Sequence, residues 1–121
     1  MAEKIVITGA SGGIGSVTAR LLAGPETYLI LHTTQITESL EQLAAELSAQ
    51  GACVALCPAD FRREEEVERF WQELLPIFPD IPFTGLVNTA GLDLMTSEVK
   101  ALSFSQRLAN LIAVDVTAAV L

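Results

Sequence analysis

The residues best suited to chemistry in this sequence form a glycine-rich turn, TGASGGIG, at positions 8–15. The turn follows an apolar run at residues 5–7 and precedes a helix-like pattern, so the order is strand, turn and helix. Gly9, Gly13 and Gly15 lack a Cβ, so they can adopt positive φ and let the backbone approach a ligand. The first amides of the helix would then face a phosphate, with a plain structural turn as the alternative. The turn therefore predicts a dinucleotide site.

Four short runs of apolar and β-branched residues are the elements that would position this turn. They show little polar alternation, which is typical of strands buried on both faces of a parallel sheet. The stretches that follow each run have the 3.6-residue apolar period of helices. The predicted strands span residues 4–8, 28–32, 53–57 and 84–88, and the predicted helices span residues 15–23, 38–50, 63–78 and 103–121.

The alternation of strands and helices predicts an α/β fold with right-handed crossovers. We expect a Rossmann-like, doubly wound parallel sheet of four strands in the order 3-2-1-4, with helices on both faces. One domain would occupy residues 1–121, and its first helix would pack on the sheet through Val17, Leu21 and Leu22. A ligand would bind beyond the carboxyl ends of strands one and four, where the strand order reverses.

Composition excludes several classes of protein. The net charge of −8 is unfavourable for a protein that binds the phosphate backbone of nucleic acids. No basic, apolar leader begins the sequence, and the apolar stretch at residues 108–121 is too short to span a membrane and contains Asp115. We therefore expect no nucleic-acid partner, no membrane span and a cytoplasmic location.

Two cysteines are present, and neither a disulfide nor a metal site is expected. Cys53 and Cys57 are four positions apart, which on a strand places both on one face at a distance too long for a disulfide. One histidine is too few to complete a zinc site beside them. Both cysteines are predicted to be reduced thiols in the core.

The turn TGASGGIG and a second motif, LVNTAG at residues 86–91, together resemble the short-chain dehydrogenase/reductase family. The family patterns are TGxxxGxG and NNAG, and they occur here in the family's order. The resemblance implies the NAD(P)-binding portion of an oxidoreductase that moves hydride between NADP(H) and a small alcohol or carbonyl substrate. A P-loop is excluded because no lysine follows the glycines.

The resemblance also implies which residues touch the dinucleotide. Asp60 would meet the adenine amino group and Phe61 would lend backbone contact, although Asp60 would otherwise cap the helix that begins near Arg63. Thr89 stands where the family has a second asparagine, and a hydroxyl can still form a hydrogen bond there. The residues expected at the pyrophosphate are Gly9, Ser11, Gly12, Gly13, Ile14 and Gly15, and those expected along the ribose are Asn88, Thr89, Ala90 and Gly91.

The choice between NADP and NAD is usually decided just after the second strand. Thr33 and Thr34 occupy this place, and the absence of a carboxylate favours NADP over NAD. Gly12 lies where many NADP-using members have an arginine, which counts against that choice. His32 is expected to be packed or exposed, and no chemistry is assigned to it.

The catalytic residues of the family are missing from this sequence. Its only tyrosine, Tyr28, begins the second strand, and no Tyr-x-x-x-Lys is present. Asp115 stands where the family has an asparagine that supports a proton-relay water, so it is either a modified relay residue or simply a polar residue in an apolar helix. We expect the resemblance to cover the first half of a family member and the chain alone to be inactive.

A second hypothesis is a non-catalytic interaction or assembly module on the same fold. The apolar helix expected at residues 103–121 would leave one face uncovered, and uncovered apolar faces attract partners. In the family this helix tends to form part of a dimer interface, which favours a homo-oligomer here.

Overall fold

The computed structural model describes residues 2–89, which form a four-stranded parallel sheet with three helices. The strand order is β3-β2-β1-β4, which confirms the predicted topology. β1 pairs with both β2 and β4, so the strand order reverses there. The strands are β1 (Glu3–Thr8), β2 (Thr27–Thr33), β3 (Cys53–Pro58) and β4 (Phe83–Asn88), and the helices are α1 (Gly13–Leu22), α2 (Glu38–Ala49) and α3 (Glu64–Leu74).

Two apolar clusters cover the two faces of the sheet. Ile7 and Leu29 belong to the cluster under α1 and α2, whereas Val6 and Ile30 belong to the cluster under α3. Neighbouring residues of one strand thus face opposite helices, because side chains alternate across a strand. The apolar runs without polar alternation therefore belong to strands that are buried on both faces, as predicted for β1 and β2.

The sheet-facing side of α1 differs from the prediction. Gly15 and Ala19 are its buried residues, whereas Val17 and Leu21 are 52% and 80% exposed. Leu22 alone of the three predicted residues packs against the core. Gly15 approaches the turn backbone closely, and this approach leaves room only for small side chains on that face. Hydrophobicity alone therefore predicted the wrong side of α1.

The second helix follows its sequence pattern. Thr37 Oγ1 caps α2 by accepting a hydrogen bond from the Leu40 amide at 3.3 Å. Leu40, Leu43 and Leu47 are buried, as the i, i+3 and i+7 spacing predicts. Gly51 follows the helix with a φ of 97°, a left-handed conformation that suits glycine at a helix end.

The third helix ends at Leu74, four residues before the predicted end at Phe78. Pro76 has no N–H group, so the helical hydrogen bond to the carbonyl four residues earlier cannot form. Val67, Phe70 and Leu74 are the buried residues of this helix. Their packing fixes α3 over β1 and β2.

Lys4 is buried within β1, which nothing in the sequence indicates. Its ammonium group donates a hydrogen bond to the Phe78 carbonyl at 3.1 Å and lies 3.9 Å from the centre of the Phe83 ring. The charge is therefore stabilised by a carbonyl and an aromatic face. These contacts connect β1 to the segment after α3 and to the first residue of β4.

The cysteine prediction is confirmed for Cys57 and wrong for Cys53. Cys57 is buried under α3, whereas Cys53 begins β3 and is exposed. Burial and the Glu73 carboxylate raise the pKa of Cys57 to about 11, so this thiol is protonated at neutral pH. Residues 2–89 contain no group of three or more potential metal ligands. Within the same range, no helix is both long and apolar enough to cross a membrane.

Candidate functional site

The glycine turn and the end of β4 meet at the carboxyl edge of the sheet, as the topology predicts. Thr8 Oγ1 donates a hydrogen bond to Asn88 Oδ1 at 2.6 Å. The Thr89 amide donates to the Thr8 carbonyl at 3.2 Å, and the Thr89 hydroxyl donates to the same oxygen. The side chain of Thr89 therefore turns toward β1, where it fastens the two motifs to each other.

Gly9 makes the turn possible. It has a φ of 67°, in the left-handed region that side chains other than glycine rarely adopt. Its carbonyl accepts a hydrogen bond from the Gly12 amide at 3.1 Å, which closes the turn. Gly13 and Gly15 lie inside α1 and do not share this conformation. Of the three glycines that can adopt positive φ, Gly9 alone does so.

The amides at the start of α1 precede the first hydrogen bond of the helix. The first helical hydrogen bond runs from the Ser16 amide to the Gly12 carbonyl at 2.9 Å. The amides of Gly13, Ile14 and Gly15 come before it and have no acceptor within the helix. Gly12 is the N-cap and has no side chain to accept from them, and the first turn of α1 contains no acidic residue. The site therefore favours an anion.

Gly15 allows α1 to lie directly against the turn. A Cβ at this position would collide with the Gly9 carbonyl oxygen and would lie 2.8 Å from Thr89 Oγ1. A Cβ on Gly13, by contrast, would meet no protein atom within 4 Å. The two glycines thus serve different purposes. Gly15 is required by the protein's own packing, whereas Gly13 leaves open space in front of the helix.

His32 joins the turn to the end of β3, and sequence reasoning did not identify this role. Its Nδ1 accepts a hydrogen bond from the Gly9 amide at 3.0 Å, and its Nε2 lies 2.9 Å from the Ala59 carbonyl oxygen. The ring stacks on Phe61 with 3.8 Å between ring centres. Burial lowers the pKa of His32 to about 4, so the imidazole is neutral at pH 7.

The two threonines after β2 have different surroundings. Thr33 is 3% exposed, and its hydroxyl donates to the Gln35 carbonyl at 2.9 Å. Ser11 Oγ lies 3.3 Å from Thr33 Oγ1, so the two hydroxyls contact each other across the turn. Thr34 is exposed. Of the pair, Thr34 is the residue with a side chain open to a ligand.

Asp60 pairs with a neighbouring arginine in the segment after β3. Both of its carboxylate oxygens accept hydrogen bonds at 3.0 Å from the Arg62 guanidinium, and these bonds lower the pKa of Asp60. The N-cap of α3 is Arg63, without a side-chain cap, so Asp60 does not cap that helix. Phe61 is buried, and its backbone remains a predicted contact of the adenine end.

Several predicted site residues lie outside residues 2–89. Ala90 and Gly91 complete the second motif, Asp115 is the candidate relay residue, and the predicted helix at 103–121 carries the proposed self-association. These four remain predictions from the sequence.

The residues described here fit a dinucleotide. The open space at Gly13 and the first amides of α1 follow the carboxyl end of β1, and the exposed Thr34 follows that of β2. A pyrophosphate would meet the helix amides, and a ribose would meet the residue after β2.

Comparison with known proteins identifies related sequences over almost the whole chain. A family model described as "short chain dehydrogenase" matches residues 3–121. Nodulation protein G of Rhizobium sp. (strain N33) is 40% identical over 90 residues, which cover 74% of this chain and 34% of that protein. Serine 3-dehydrogenase of Agrobacterium fabrum (strain C58 / ATCC 33970) is 38% identical over 97 residues, covering 80% of this chain and 36% of that protein.

A solved structure shares the fold. It is a metagenomic short-chain oxidoreductase in complex with NADP, with a TM-score of 0.79 and 26% sequence identity. The alignment covers 96% of this chain and 51% of that one. The chain thus spans about a third of the length of the two curated relatives and about half of this structure.

Proposed function

This chain belongs to the short-chain dehydrogenase family, and from that membership we propose that it binds NADP(H) or NAD(H) at the carboxyl ends of β1 and β4. The arrangement of backbone amides at the start of α1 is the observation that supports the proposal. Three amides there have no acceptor within the helix, and neither Gly12 nor Gly13 has a side chain that would stand in front of them. Backbone N–H groups and the helix dipole both favour a pyrophosphate at this place.

Each part of the site has a separate task in binding. The amides of Gly13, Ile14 and Gly15 would hold the pyrophosphate, and Thr34 would face the adenine ribose. The Asp60–Phe61 segment would hold the adenine ring, and Asn88 would lie beside the nicotinamide ribose. Thr89 would keep β4 and the turn in contact through the Thr8 carbonyl. A bound nicotinamide would donate hydride to a carbonyl in its reduced form or accept hydride from an alcohol in its oxidised form.

We propose that this portion of the fold contributes to an oxidoreductase that acts on alcohol or carbonyl compounds. The 121-residue sequence contains no Tyr-x-x-x-Lys, the pair that would hold and move the proton in this family. The function assigned to the chain itself is therefore binding of the dinucleotide.

NADP is the preferred dinucleotide in this proposal. No carboxylate stands at positions 33–34, where one would accept bonds from the ribose hydroxyls and repel a 2′-phosphate. The exposed Thr34 hydroxyl is able to donate to that phosphate. A hydrogen bond to a charged group contributes about 1.5–3 kcal/mol, so we expect NADPH to bind at least about tenfold more tightly than NADH.

Calorimetric titration of the 121-residue chain with NADPH and NADH tests both parts of the proposal. Thr34→Asp should reverse the preference, because its carboxylate repels the phosphate and accepts from the ribose hydroxyls. Ser39→Asp adds the same charge on exposed α2 and should leave the ratio unchanged. No heat with either dinucleotide at millimolar concentration would refute binding, and an unchanged ratio in Thr34→Asp would refute the role of Thr34.

A further inference from the structure

His32 is a buried imidazole that the proposed function does not use. It lies at the carboxyl end of β2 with 3% of its surface exposed. We propose that His32 is a positioning residue for the dinucleotide site, whose ring holds the Gly9 turn in a fixed place relative to the end of β3. The inference rests on the proposed function, because the turn that it positions is the pyrophosphate-binding turn.

The hydrogen-bond partners of the ring fix its tautomer. An amide N–H can only donate, so Nδ1 must accept from Gly9 at 3.0 Å. A carbonyl can only accept, so Nε2 must carry the proton that it shares with Ala59 at 2.9 Å. One neutral tautomer satisfies both partners. Because both nitrogens are occupied, His32 is a positioning group and has no free nitrogen to exchange protons with a substrate.

Aromatic neighbours hold the plane of the ring. Phe61 stacks on it with an angle of 5° between the planes, and Phe70 meets it edge-on with 5.2 Å between ring centres. Rotation about the side-chain bonds of His32 would break both contacts as well as the two hydrogen bonds. The acceptor for the Gly9 amide is therefore presented in a single direction.

Backbone hydrogen bonds continue from the sheet into the segments that the His32 ring contacts. The Ala10 amide donates to the His32 carbonyl at 2.9 Å, and the Ala59 amide donates to the Thr33 carbonyl at 2.9 Å. These bonds extend the pairing of β1, β2 and β3 just past the strand ends. The ring then adds the last contact to Gly9, where the chain turns away from the sheet with its φ of 67°.

The consequence for binding follows from the place of Gly9 in the turn. Its amide points inward to His32, whereas its carbonyl holds the Gly12 amide at 3.1 Å. A change in the backbone torsion angles of Gly9 would therefore move the N-cap of α1 and the amides that follow it. A loss of the Nδ1 acceptor leaves a partly buried N–H unsatisfied, and the turn then gains by rearranging.

A matched pair of variants separates positioning from ordinary packing. His32→Asn keeps an acceptor at the δ position for Gly9 and loses the donor to Ala59. His32→Gln reaches the ε position for Ala59 and loses the acceptor to Gly9. Each loses one hydrogen bond and the ring stacking, so similar losses of stability are expected. His32→Phe keeps an aromatic ring and loses both hydrogen bonds.

The experiment measures the dissociation constant for NADPH and the hydrogen-exchange rate of the Gly9 amide in the wild-type chain and the three variants, each of 121 residues. We expect His32→Asn to remain within about threefold of the wild type in both quantities. His32→Gln and His32→Phe should bind at least about tenfold more weakly and exchange the Gly9 amide at least about tenfold faster.

Two results would overturn the inference, and they are distinguishable. Equal losses of affinity and equal exchange rates in His32→Asn and His32→Gln would show that His32 only fills space, while the proposed function survives. A wild-type chain that binds no dinucleotide would refute the proposed function and the inference together. The tautomer gives an independent check, because His32 is the only histidine in the sequence and its two ring nitrogens are directly visible by NMR. A proton on Nδ1 at pH 7 contradicts the inference.

Discussion

His32 has one nitrogen on the Gly9 amide and the other on the Ala59 carbonyl, and this arrangement requires a neutral ring. A second proton would place two donors, the imidazolium Nδ1–H and the Gly9 N–H, against each other. Burial opposes that proton and lowers the pKa of His32 to about 4 from its usual value near 6.5. Among the charged groups of the adjoining segment and of α3, Asp60 pairs with Arg62, and Glu66 pairs with Arg69.

The shifted pKa of His32 predicts how stability depends on pH. Between pH 6.5 and 4 the unfolded chain binds a proton at His32 that the folded chain excludes, so the contribution is complete above pH 6.5 and lost as pH falls toward 4. From pH 7 to pH 4 the wild type should therefore lose about 2–3 kcal/mol more of unfolding free energy than His32→Asn. Urea titrations followed by the fluorescence of Trp71, the only tryptophan, measure this difference.

His32→Asn is also the control for carboxylates, because their protonation affects both chains alike. Parallel pH profiles for the two proteins would contradict a buried neutral imidazole.

Among single residues, Gly9 and Gly15 could be identified from the sequence as site residues, but the role of His32 could not. A glycine turn after a strand is a local pattern, and its residues are adjacent. His32 meets its partners through positions that are 23 and 27 residues away along the chain. Only the parallel register of β1, β2 and β3 brings these three positions together.

Among the elements, α1 shows why hydrophobic pattern and packing disagreed. Val17 and Leu21 have helical spacing and are exposed, whereas Gly15 and Ala19 form the buried face. The first residues of α1 pack against the backbone of the glycine turn, so the helix face nearest the turn has no room for large side chains. The strands and their order were predictable because apolar runs and alternation depend on neighbouring residues. The early end of α3 was also readable in principle from Pro76.

Gly15→Ala should destabilise the contact between α1 and the turn. Its Cβ would meet the backbone of Gly9 and Ala10 as well as Thr89, and these backbone atoms cannot move without changing the turn. Overpacking of this kind costs about 1–3 kcal/mol, so the unfolding free energy should fall by that amount. Gly24→Ala is the matched control, because its Cβ meets nothing within 4 Å and it lies beyond the other end of α1. Thermal unfolding of both variants measures this loss of stability, and equal melting temperatures would contradict the packing role of Gly15.

For the molecule as a whole, the net charge and the start of α1 have opposite effects on the binding of an anionic ligand. The chain has a net charge of −8, which repels an anionic dinucleotide at long range. The start of α1 compensates locally with oriented amides and no acidic residue in its first turn. Affinity should therefore depend on the geometry of the turn more than on overall attraction. Membership of the short-chain dehydrogenase family agrees with this arrangement, since the family model matches residues 3–121.

The whole-molecule prediction from the sequence was correct in fold class and strand order because two motifs and four apolar runs agreed with one topology. The side-chain partners inside the site were less accessible. Thr33 and Thr34 are adjacent in sequence, yet one hydroxyl is bonded to the Gln35 carbonyl and the other residue is exposed. Their difference depends on the direction in which the chain leaves β2.

The most direct test of the dinucleotide site is Gly13→Ala, measured for NADPH affinity and for thermal stability. A Cβ here meets no protein atom within 4 Å, and helical Cβ atoms tilt toward the N-terminus, where the pyrophosphate would lie. We predict at least about tenfold weaker binding with an equal or higher melting temperature, since alanine favours helix over glycine. Gly24→Ala should change neither quantity. Wild-type affinity in Gly13→Ala would contradict a pyrophosphate at the start of α1.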